Sequence, residues 1–348
     1  MATGSALDGQ LGTKTETTVG TAVTADHFFT FDTADLTFTP TYIEGQGIRA
    51  GKTFKSISQA GIVRKAASGK VELPLMYKGM SWWMTHCLGA SQTPLVVPSG
   101  TLAFETYFVP TGFIGKSFTA QIGKTDPNSG STNAFNYPGC KVTEWDLAWA
   151  DNANTMLTVT IDSWNEAEGT PSLATATYPT GNGLFNFSNV TTFKLGGTVT
   201  TTSGKTSVST GTSVASVVSS LTLSGKNTLA TERYGLGNSG LKKEQLVEDF
   251  VGLTGTFSAE YNESEFQSQF RAGTTTAIQI DSVSTNFIES STPYLFSVIL
   301  PTVKITKAAP TITGPGIVTV AGEFTVYDPD DGSNPPLQIH IVSTDTVL

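Results

Sequence analysis

Residues 71–89 read VELPLMYKGMSWWMTHCLG, and the fold follows from this stretch. In its first part, VELPLMY, apolar residues recur at every second position, which predicts a strand. The short apolar run MSWWMTHCL follows, and Gly89 stands where glycine commonly closes a helix in the left-handed conformation. We therefore predict a strand, a tyrosine, one short helix and a terminating glycine, in this order.

The same order recurs in the second half of the chain. Residues 255–273 read GTFSAEYNESEFQSQFRAG, with a tyrosine before the predicted helix and a glycine after it, as in 71–89. Asn262 is followed three residues later by Glu265, which is the spacing of a helix capping box. The second stretch therefore predicts another strand followed by a short helix.

Two further landmarks keep their order in both halves. LTFT at 36–39 resembles LTLS at 221–224, and KVT at 141–143 resembles KIT at 304–306. Both KVT and KIT precede a predicted hairpin. The hairpin at 141–164 consists of two alternating runs around the turn ADNAN. Because the landmarks occur in one order, we interpret them as an internal duplication rather than chance similarity between threonine-rich strands.

The repeat divides the chain into four segments. We predict an N-terminal arm at 1–26, a first copy at 27–165 and a second copy at 216–348. A Thr/Ser/Gly-rich linker or insertion at 166–215 separates the copies.

The composition indicates a mainly β protein. Charged residues make up 14% of the 348 residues, well below the usual quarter, while 35 Gly and 16 Pro supply many turns. Gly and Pro are poor helix formers, so a mostly helical protein is nearly excluded. The 20 Phe, 9 Tyr and 5 Trp suffice to build cores, which argues against disorder over most of the chain.

The net charge of −9 argues against tight binding of nucleic acid, which needs a basic surface. Two cysteines do not make a disulfide framework. The N-terminus has neither a basic start nor an apolar core, so we expect no signal peptide. No apolar run approaches the length that spans a bilayer, and we expect no membrane partner.

Two motifs suggest ligands but lack the necessary context. GLGNSG at 235–240 matches G-x-G-x-x-G, yet no buried strand precedes it, so we predict a turn. DPDDG at 328–332 resembles part of a calcium loop but lacks a later acid, which leaves ion binding by these residues open and favours an acidic turn. No Cys/His cluster or nucleophile with a base is evident, so we expect no catalytic residue, cofactor or metal and no enzymatic activity.

The stretch from Gly45 to Lys70 reverses the local charge. It contains no acidic residue and holds six basic ones: Arg49, Lys52, Lys55, Arg64, Lys65 and Lys70. One interpretation is an exposed loop that offsets some of the acidic charge. The other is an electrostatic contact with an acidic surface of another subunit, and direct DNA binding ranks third because Phe54 is nearly the only interleaved aromatic.

Trp145 and Trp149 lie four residues apart and so share one face of a predicted strand. Burial against the helix explains them, and so does stacking on a sugar. A carbohydrate-binding surface or fibre β-module is therefore an alternative function.

Several of these stretches together resemble the major tail tube protein of long-tailed, siphovirus-like bacteriophages. They are VELPLMYKGMSWWMTHCLG, the pair YPGCKVTEWDLAW and TMLTVTIDSW, and the terminal PTVKITKAAPTITGPGIVTVAGEFTVYD, and the likeness covers most of residues 27–330. The resemblance implies a mainly β fold. It consists of two tandem tail-tube-type β-sandwich domains, each with one short α-helix, that assemble into a ring with an inner β-barrel.

The resemblance also implies a structural protein of the virion, made in the host bacterial cytoplasm. Stacked rings would form the tail tube, which surrounds the tape-measure protein and conducts genomic DNA to the host. The duplicated domain implies a homotrimeric ring with pseudo-sixfold symmetry, with a homohexamer as the alternative. In such a stack we expect the six basic residues Arg49, Lys52, Lys55, Arg64, Lys65 and Lys70 to contact the next ring. The tail terminator and tip proteins would be further partners, and DNA would pass an acidic lumen without specific binding because like charges repel.

Overall fold

The computed structural model describes residues 5–90, 93–97, 101–289, 291–312 and 314–346. The chain is mainly β, as predicted, and its main strands belong to one large antiparallel sheet system. The two helices predicted from the repeat are present: α1 spans Met80–Leu88 and α2 spans Ser268–Ala272. Short helical turns lie at Ala6–Asp8, Ile57–Gln59, Phe187–Asn189 and Glu263–Gln267, the last directly before α2.

The strands of the described residues are numbered in chain order. They are β1 Gln10–Thr15, β2 His27–Phe29, β3 Thr33–Ala34, β4 Thr37–Phe38, β5 Thr41–Glu44, β6 Ala60–Arg64, β7 Ala67–Pro74, β8 Leu95–Val96, β9 Phe104–Phe108, β10 Phe118–Thr125, β11 Thr132–Ala150, β12 Met156–Ser163, β13 Ala167–Glu168, β14 Val190–Leu195, β15 Thr198–Thr202, β16 Lys205–Ser209, β17 Thr212–Ser213, β18 Val218–Lys226, β19 Gly252–Glu260, β20 Thr275–Glu289, β21 Thr292–Lys307, β22 Pro310–Thr311, β23 Thr319–Val326 and β24 Gln338–Ser343.

The two halves pair their strands in the same order. In the first half β7 pairs with β12, β12 with β11, and β11 with β10. In the second half β19 pairs with β23, β23 with β21, and β21 with β20. A helix follows the leading strand in each half and ends at a glycine in the left-handed conformation, Gly89 with φ 63° and Gly273 with φ 64°.

The register fixes which positions correspond in the two halves. Val142 lies opposite Ile161 between β11 and β12, and Ile305 lies opposite Phe324 between β21 and β23. Both ladders shift register directly after these pairs. Lys304 therefore occupies the position of Lys141, as the sequence landmarks KVT and KIT predict.

One strand joins the two halves into a continuous sheet. β18 pairs with β11 on one side and with β19 on the other. The resulting strand order is β4–β7–β12–β11–β18–β19–β23–β21. Buried and more exposed residues alternate along β18, β19 and β23, so one face of this sheet packs on the core and the other is polar.

The core is one contiguous cluster of buried side chains drawn from both halves. Helix α1 belongs to the part of this core that the first half contributes. Its Trp82 and Trp83 pack edge-on to each other, with their ring centroids 4.9 Å apart. Phe118 of β10 meets the Trp82 ring at 5.1 Å. This packing explains why so apolar a run forms a helix: both tryptophans and most of its other side chains are buried.

Both ends of the chain are built into the sheet. The segment 1–26, expected as an arm, contains β1, which pairs with β2 and β10 and buries Leu11 completely. Its residues 1–4 lie outside the described residues. At the other end β24 lies between β21 and β9, and all six of its residues are buried.

The Thr/Ser/Gly-rich segment 166–215 contributes strands to both halves. β13 pairs with β11, and β14 pairs with β20. Between β14 and β17, the hairpin β15–β16 forms a separate two-stranded sheet. Gln338 of β24 accepts the backbone N–H of Thr206, so this hairpin is also fastened to the main sheet.

Candidate functional site

The basic stretch forms an exposed hairpin. β5 and β6 pair antiparallel, and the tip between them carries Arg49, Lys52 and Lys55. Arg64 ends β6, and Lys65 and Lys70 follow at the base and in β7. All six positions predicted as a contact surface are at least partly exposed, so they lie on one surface element and its base. We refer to residues 39–66 as hairpin 1.

Two of these basic side chains are paired with acids of the same chain. Lys55 binds Glu44 across hairpin 1, and Arg64 lies 3.5 Å from Glu232. The Lys65 N–H donates to the carbonyl of Gly240 at 2.8 Å. The base of hairpin 1 is thus anchored to a second loop of the chain, while its tip extends into solvent.

Hairpin 1 also exposes large apolar side chains, of which only Phe54 was noted from the sequence. Ile48, Phe54 and Ile57 are 101%, 87% and 88% exposed. Large apolar groups concentrated on one exposed element mark an interaction surface more often than scattered ones do. The signal was present in the sequence as apolar residues interleaved with Arg49, Lys52 and Lys55.

A second hairpin occupies the corresponding place in the second half. Residues 227–251, which we call hairpin 2, connect β18 to β19 as hairpin 1 connects β4 to β7. Isolated bridges join Leu229 to Val247 and Tyr234 to Lys242, so the two arms of hairpin 2 run antiparallel. The predicted turn 235–240 is confirmed as the tip of hairpin 2.

Hairpin 2 covers the end of the β11–β12 ladder, at Lys141 and Asp162, through buried ion pairs. Lys242 Nζ lies 2.5 Å from Asp162 Oδ1, and Lys141 Nζ lies 2.7 Å from Glu244 Oε1. Gln245, which is completely buried, donates to Asp162 Oδ2 at 2.9 Å. These contacts hold hairpin 2 against the first half of its own chain.

Burial governs the charges under hairpin 2. It raises the pKa of Asp162 against the opposing effect of the Lys242 ammonium, and it lowers the pKa of Lys141 against that of Glu244. Burial also acts to raise the pKa of Glu244, but the hydrogen bonds from Lys141 and from the Gly115 N–H outweigh it, so this pKa lies below its usual value. Each charge is compensated by a partner, as a buried ion pair requires.

The corresponding strand ends of the second half are open. Lys304 lies opposite Thr325, where the first half has Lys141 opposite Asp162, and Lys304 is exposed. Beyond this pair, Tyr327 is 47% exposed, and Phe250 and Val251, which precede β19, are 93% and 41% exposed. The acids Glu248, Asp249 and Asp328 adjoin these apolar residues in the sequence and are exposed as well. We call the surface formed by Phe250, Val251 and Tyr327, together with the acids Glu248, Asp249 and Asp328, the β23 seat.

The tryptophans offer no surface to a sugar. Trp145 is 1% and Trp149 is 4% exposed, and the Trp149 indole N–H reaches the Ser282 hydroxyl inside the protein at 3.4 Å. Stacking on a carbohydrate needs an accessible ring face, so the interpretation of these two residues as a sugar-binding surface is wrong.

The remaining motifs are structural. Asp328 Oδ1 accepts the N–H of Asp330, and Asp331 accepts those of Ser333 and Asn334, so this segment is a series of acidic turns. In the described part of the chain, no group of three or more His, Cys, Asp or Glu side chains is placed to hold a metal ion. None of the helices in the described ranges has the length and apolar content that crossing a membrane takes.

The predicted capping box is present only in part. Asn262 Oδ1 accepts the Ser264 N–H at 3.1 Å and so caps the helical turn. The Glu265 carboxylate instead accepts the backbone N–H groups of Ala215 and Ser216, which ties the turn to the Thr/Ser/Gly-rich segment.

Comparison with known proteins identifies a family. A family model described as phage tail tube protein matches residues 6–326, which is most of the chain. No curated protein matches it.

Proposed function

The chain belongs to the phage tail tube protein family, and from this premise we propose that it polymerises as stacked rings to form a tail tube that surrounds a tape-measure protein and conducts DNA. Its role is structural rather than catalytic. The proposal makes it a component of the virion tail, produced in the host cytoplasm, with the tail terminator and tip proteins at the ends of the tube.

One observation carries ring formation: the sheet that joins the two halves ends in an unpaired strand. β18 pairs on both sides, whereas among the described residues its counterpart β4 pairs only with β7. Asp35 and Thr39 donate their N–H groups towards β7, to Lys70 and Ala66, so those of Leu36 and Phe38 point away from it. An exposed strand edge of this kind favours pairing with another chain.

We propose that β4 pairs with the outer edge of β21 of the next copy. β21 occupies the place that β11 has in the first half, and β11 pairs with β18, the counterpart of β4. Repetition of this join around a rotation axis closes an inner β-barrel and removes the free edge. Two equivalent halves per chain make the ring a homotrimer with pseudo-sixfold symmetry, and a homohexamer is the alternative.

The polar face of the sheet that joins the two halves has a composition suited to lining a channel for DNA. It carries the acids Glu72, Asp146 and Glu323 among hydroxyl side chains. Lys70 lies beside Glu72 and Lys307 is paired with Glu323, and the whole chain has a net charge of −9. An acidic wall repels phosphate, so DNA would slide without a bound state. We propose that the six basic positions of hairpin 1 and its base bind an acidic surface of another copy; the sequence placed that copy in the next ring.

Ring formation is tested by electron microscopy of the purified protein. We expect hollow tubes or rings with threefold symmetry. The variant Phe38→Pro removes an outward N–H of β4 and should remain monomeric by light scattering, whereas the matched control Phe38→Ala keeps the N–H and should assemble. A parent chain that stays monomeric at high concentration refutes tube formation, and a Phe38→Pro variant that assembles normally refutes the β4 edge as the join.

Contact between copies through the basic residues is tested by charge reversal. Changing Lys52, Lys55 and Lys65 to Glu should weaken assembly, shorten the tubes and alter their salt sensitivity while the far-UV circular dichroism stays the same. Unchanged tube length and salt sensitivity would show that these residues make no contact between copies.

A further inference from the structure

We propose that hairpin 1 binds the β23 seat of a second copy of this chain, the neighbour in the same ring. The inference rests on the proposed function, because it requires copies arranged around an axis. It identifies the acidic surface that receives hairpin 1.

Hairpin 2 provides the template for this contact within one chain. It lies across the ends of β11 and β12, where Lys242 reaches Asp162 and Glu244 reaches Lys141. Its tip extends to the base of hairpin 1, where the Gly240 carbonyl accepts the Lys65 N–H and Arg64 lies over the Tyr234 ring at 4.6 Å. One half of the repeat thus has its strand ends covered by the hairpin of the other half.

The uncovered half has the same strand ends without such a cover in its own chain. Lys141 and Asp162 are 1% and 7% exposed beneath hairpin 2. Lys304, which occupies the place of Lys141, is exposed, and Thr325, which occupies that of Asp162, is half-buried. Tyr327, two residues further along, is 47% exposed. The difference in exposure at equivalent positions indicates that an element equivalent to hairpin 2 is required at the β23 seat.

Hairpin 1 has the properties of that element. It occupies the same place between paired strands, β4 and β7, and presents Phe54 and Ile57 to solvent. Its tip is basic, and the β23 seat combines exposed apolar side chains with the exposed acids Glu248, Asp249 and Asp328. Apolar groups can therefore meet apolar groups while opposite charges face each other beside them.

Strand order decides that the partner is another copy. β4 and β7 begin the joined sheet, and β23 and β21 end it, so hairpin 1 and the β23 seat lie towards opposite edges of the same chain. The ring join proposed between β4 and β21 brings these two edges together from neighbouring copies. This location in the same ring differs from the contact between rings expected from the sequence.

Cross-linking tests the inference directly. Aligning residues 71–89 with 255–273 matches Ala67 with Val251, and therefore Ser58 with Lys242. Because Lys242 contacts Asp162, Ser58 should lie near Thr325 of the neighbour, two residues from the exposed Tyr327. The double variant Ser58→Cys/Tyr327→Cys is assembled, treated with a short bis-maleimide and run on a denaturing gel. The native Cys87 and Cys140 are buried, which raises the pKa of both thiols and leaves them unreactive.

The matched control is Ser58→Cys/Ile312→Cys. Ile312 is 83% exposed and follows β22, which pairs with the end of β23 opposite to Tyr327. We expect covalent products that stop at the ring size, a trimer, in the test variant and mainly monomer in the control. A ladder that continues beyond the ring size would place the contact between rings and overturn the inference.

Other outcomes separate this inference from the proposed function. Rings or tubes that form but cross-link no more than the control would overturn the β23 seat and leave tube formation intact. A parent chain without substitutions that forms no rings would reject both.

Charge exchange provides a second measurement that needs no new cysteine. Glu248→Lys/Asp249→Lys should raise the concentration needed for assembly about tenfold at low salt, and adding Lys52→Glu/Lys55→Glu should restore it, because opposite charges face each other again. A combined variant that assembles no better than Glu248→Lys/Asp249→Lys alone would overturn the pairing.

Discussion

Acidification should destabilise the fold through one buried histidine. His86 of α1 is 5% exposed, and its Nε2 lies 3.1 Å from the Thr15 hydroxyl. Its ring packs on Trp82, with the centroids 4.3 Å apart, and on Phe118. Burial, assisted by the positive charges of His27 and Lys116, lowers the pKa of His86 to about 3.

The size of the effect follows from the two pKa values. The unfolded chain binds a proton at His86 near pH 6.5, whereas the native chain binds it only near pH 3, so the unfolded state holds more protons between these values. Stability therefore rises with pH in this window and is lost as pH falls below about 6.5. At pH 5 the unfolded histidine is nearly fully protonated and the native one is not, which costs about 2 kcal/mol relative to neutral pH.

Urea unfolding of the dilute chain at pH 7.5 and pH 5.0 measures this cost. His86→Gln keeps a hydrogen-bonding group near Thr15 but carries no titrating ring, so its loss of stability between the two pH values should be about 2 kcal/mol smaller than that of the parent. Other titrating groups, including His340 with a pKa that burial lowers to about 4, cancel in the comparison. Equal pH dependence in the two proteins would refute a neutral buried His86.

Three further changes have defined outcomes. Asp162→Leu leaves the buried Lys242 ammonium without its carboxylate and should lower the free energy of unfolding in urea by about 3–5 kcal/mol. The double variant Asp162→Leu/Lys242→Met should regain most of this stability. A double variant as unstable as Asp162→Leu would contradict the pairing. Gly225→Ala places a Cβ against the Trp145 ring and should lower the melting temperature with a change in tryptophan fluorescence, while an unchanged melting curve would contradict that packing. A chain that ends at residue 336 lacks β24 and should lose cooperative thermal unfolding by circular dichroism; a sharp parental transition would show that β24 is dispensable.

Local signals in the sequence predicted local structure well. The strand and helix at 71–89 and the hairpin at 141–164 are confirmed, because alternation, an apolar run and a terminating glycine each act within a few residues. The helix was identified although its two tryptophans, Trp82 and Trp83, could equally have suggested a binding surface. Their burial follows from packing against Phe118, which is distant in the sequence.

Long-range pairing could not be predicted in the same way. β24 lies between β9 and β21, and nothing in QIHIVS indicates which strands it joins. Lys141 and Lys242 resemble ordinary surface lysines in the sequence, yet both are buried because Glu244 and Asp162 arrive from distant segments. The charge reversal of hairpin 1 was visible in the sequence, but the seat proposed for it could not be, because that depends on which strand ends hairpin 2 already covers.

The chemical difference between the two sets of strand ends follows from how each is covered. Hairpin 2 belongs to the chain that it covers, so Lys242 meets Asp162 when the chain folds. The hydrogen bond from Gln245 to Asp162 helps to offset the cost of burying the two charges. A hairpin from another copy must also offset the lost freedom of two separate molecules, and burying bare ions would add to that cost. The second half accordingly has Thr325, without a charge, where the first half has Asp162, and Tyr327 and the acids near it are exposed. An ion pair within the chain and the proposed apolar contact between chains would thus be two ways of covering one repeated strand end.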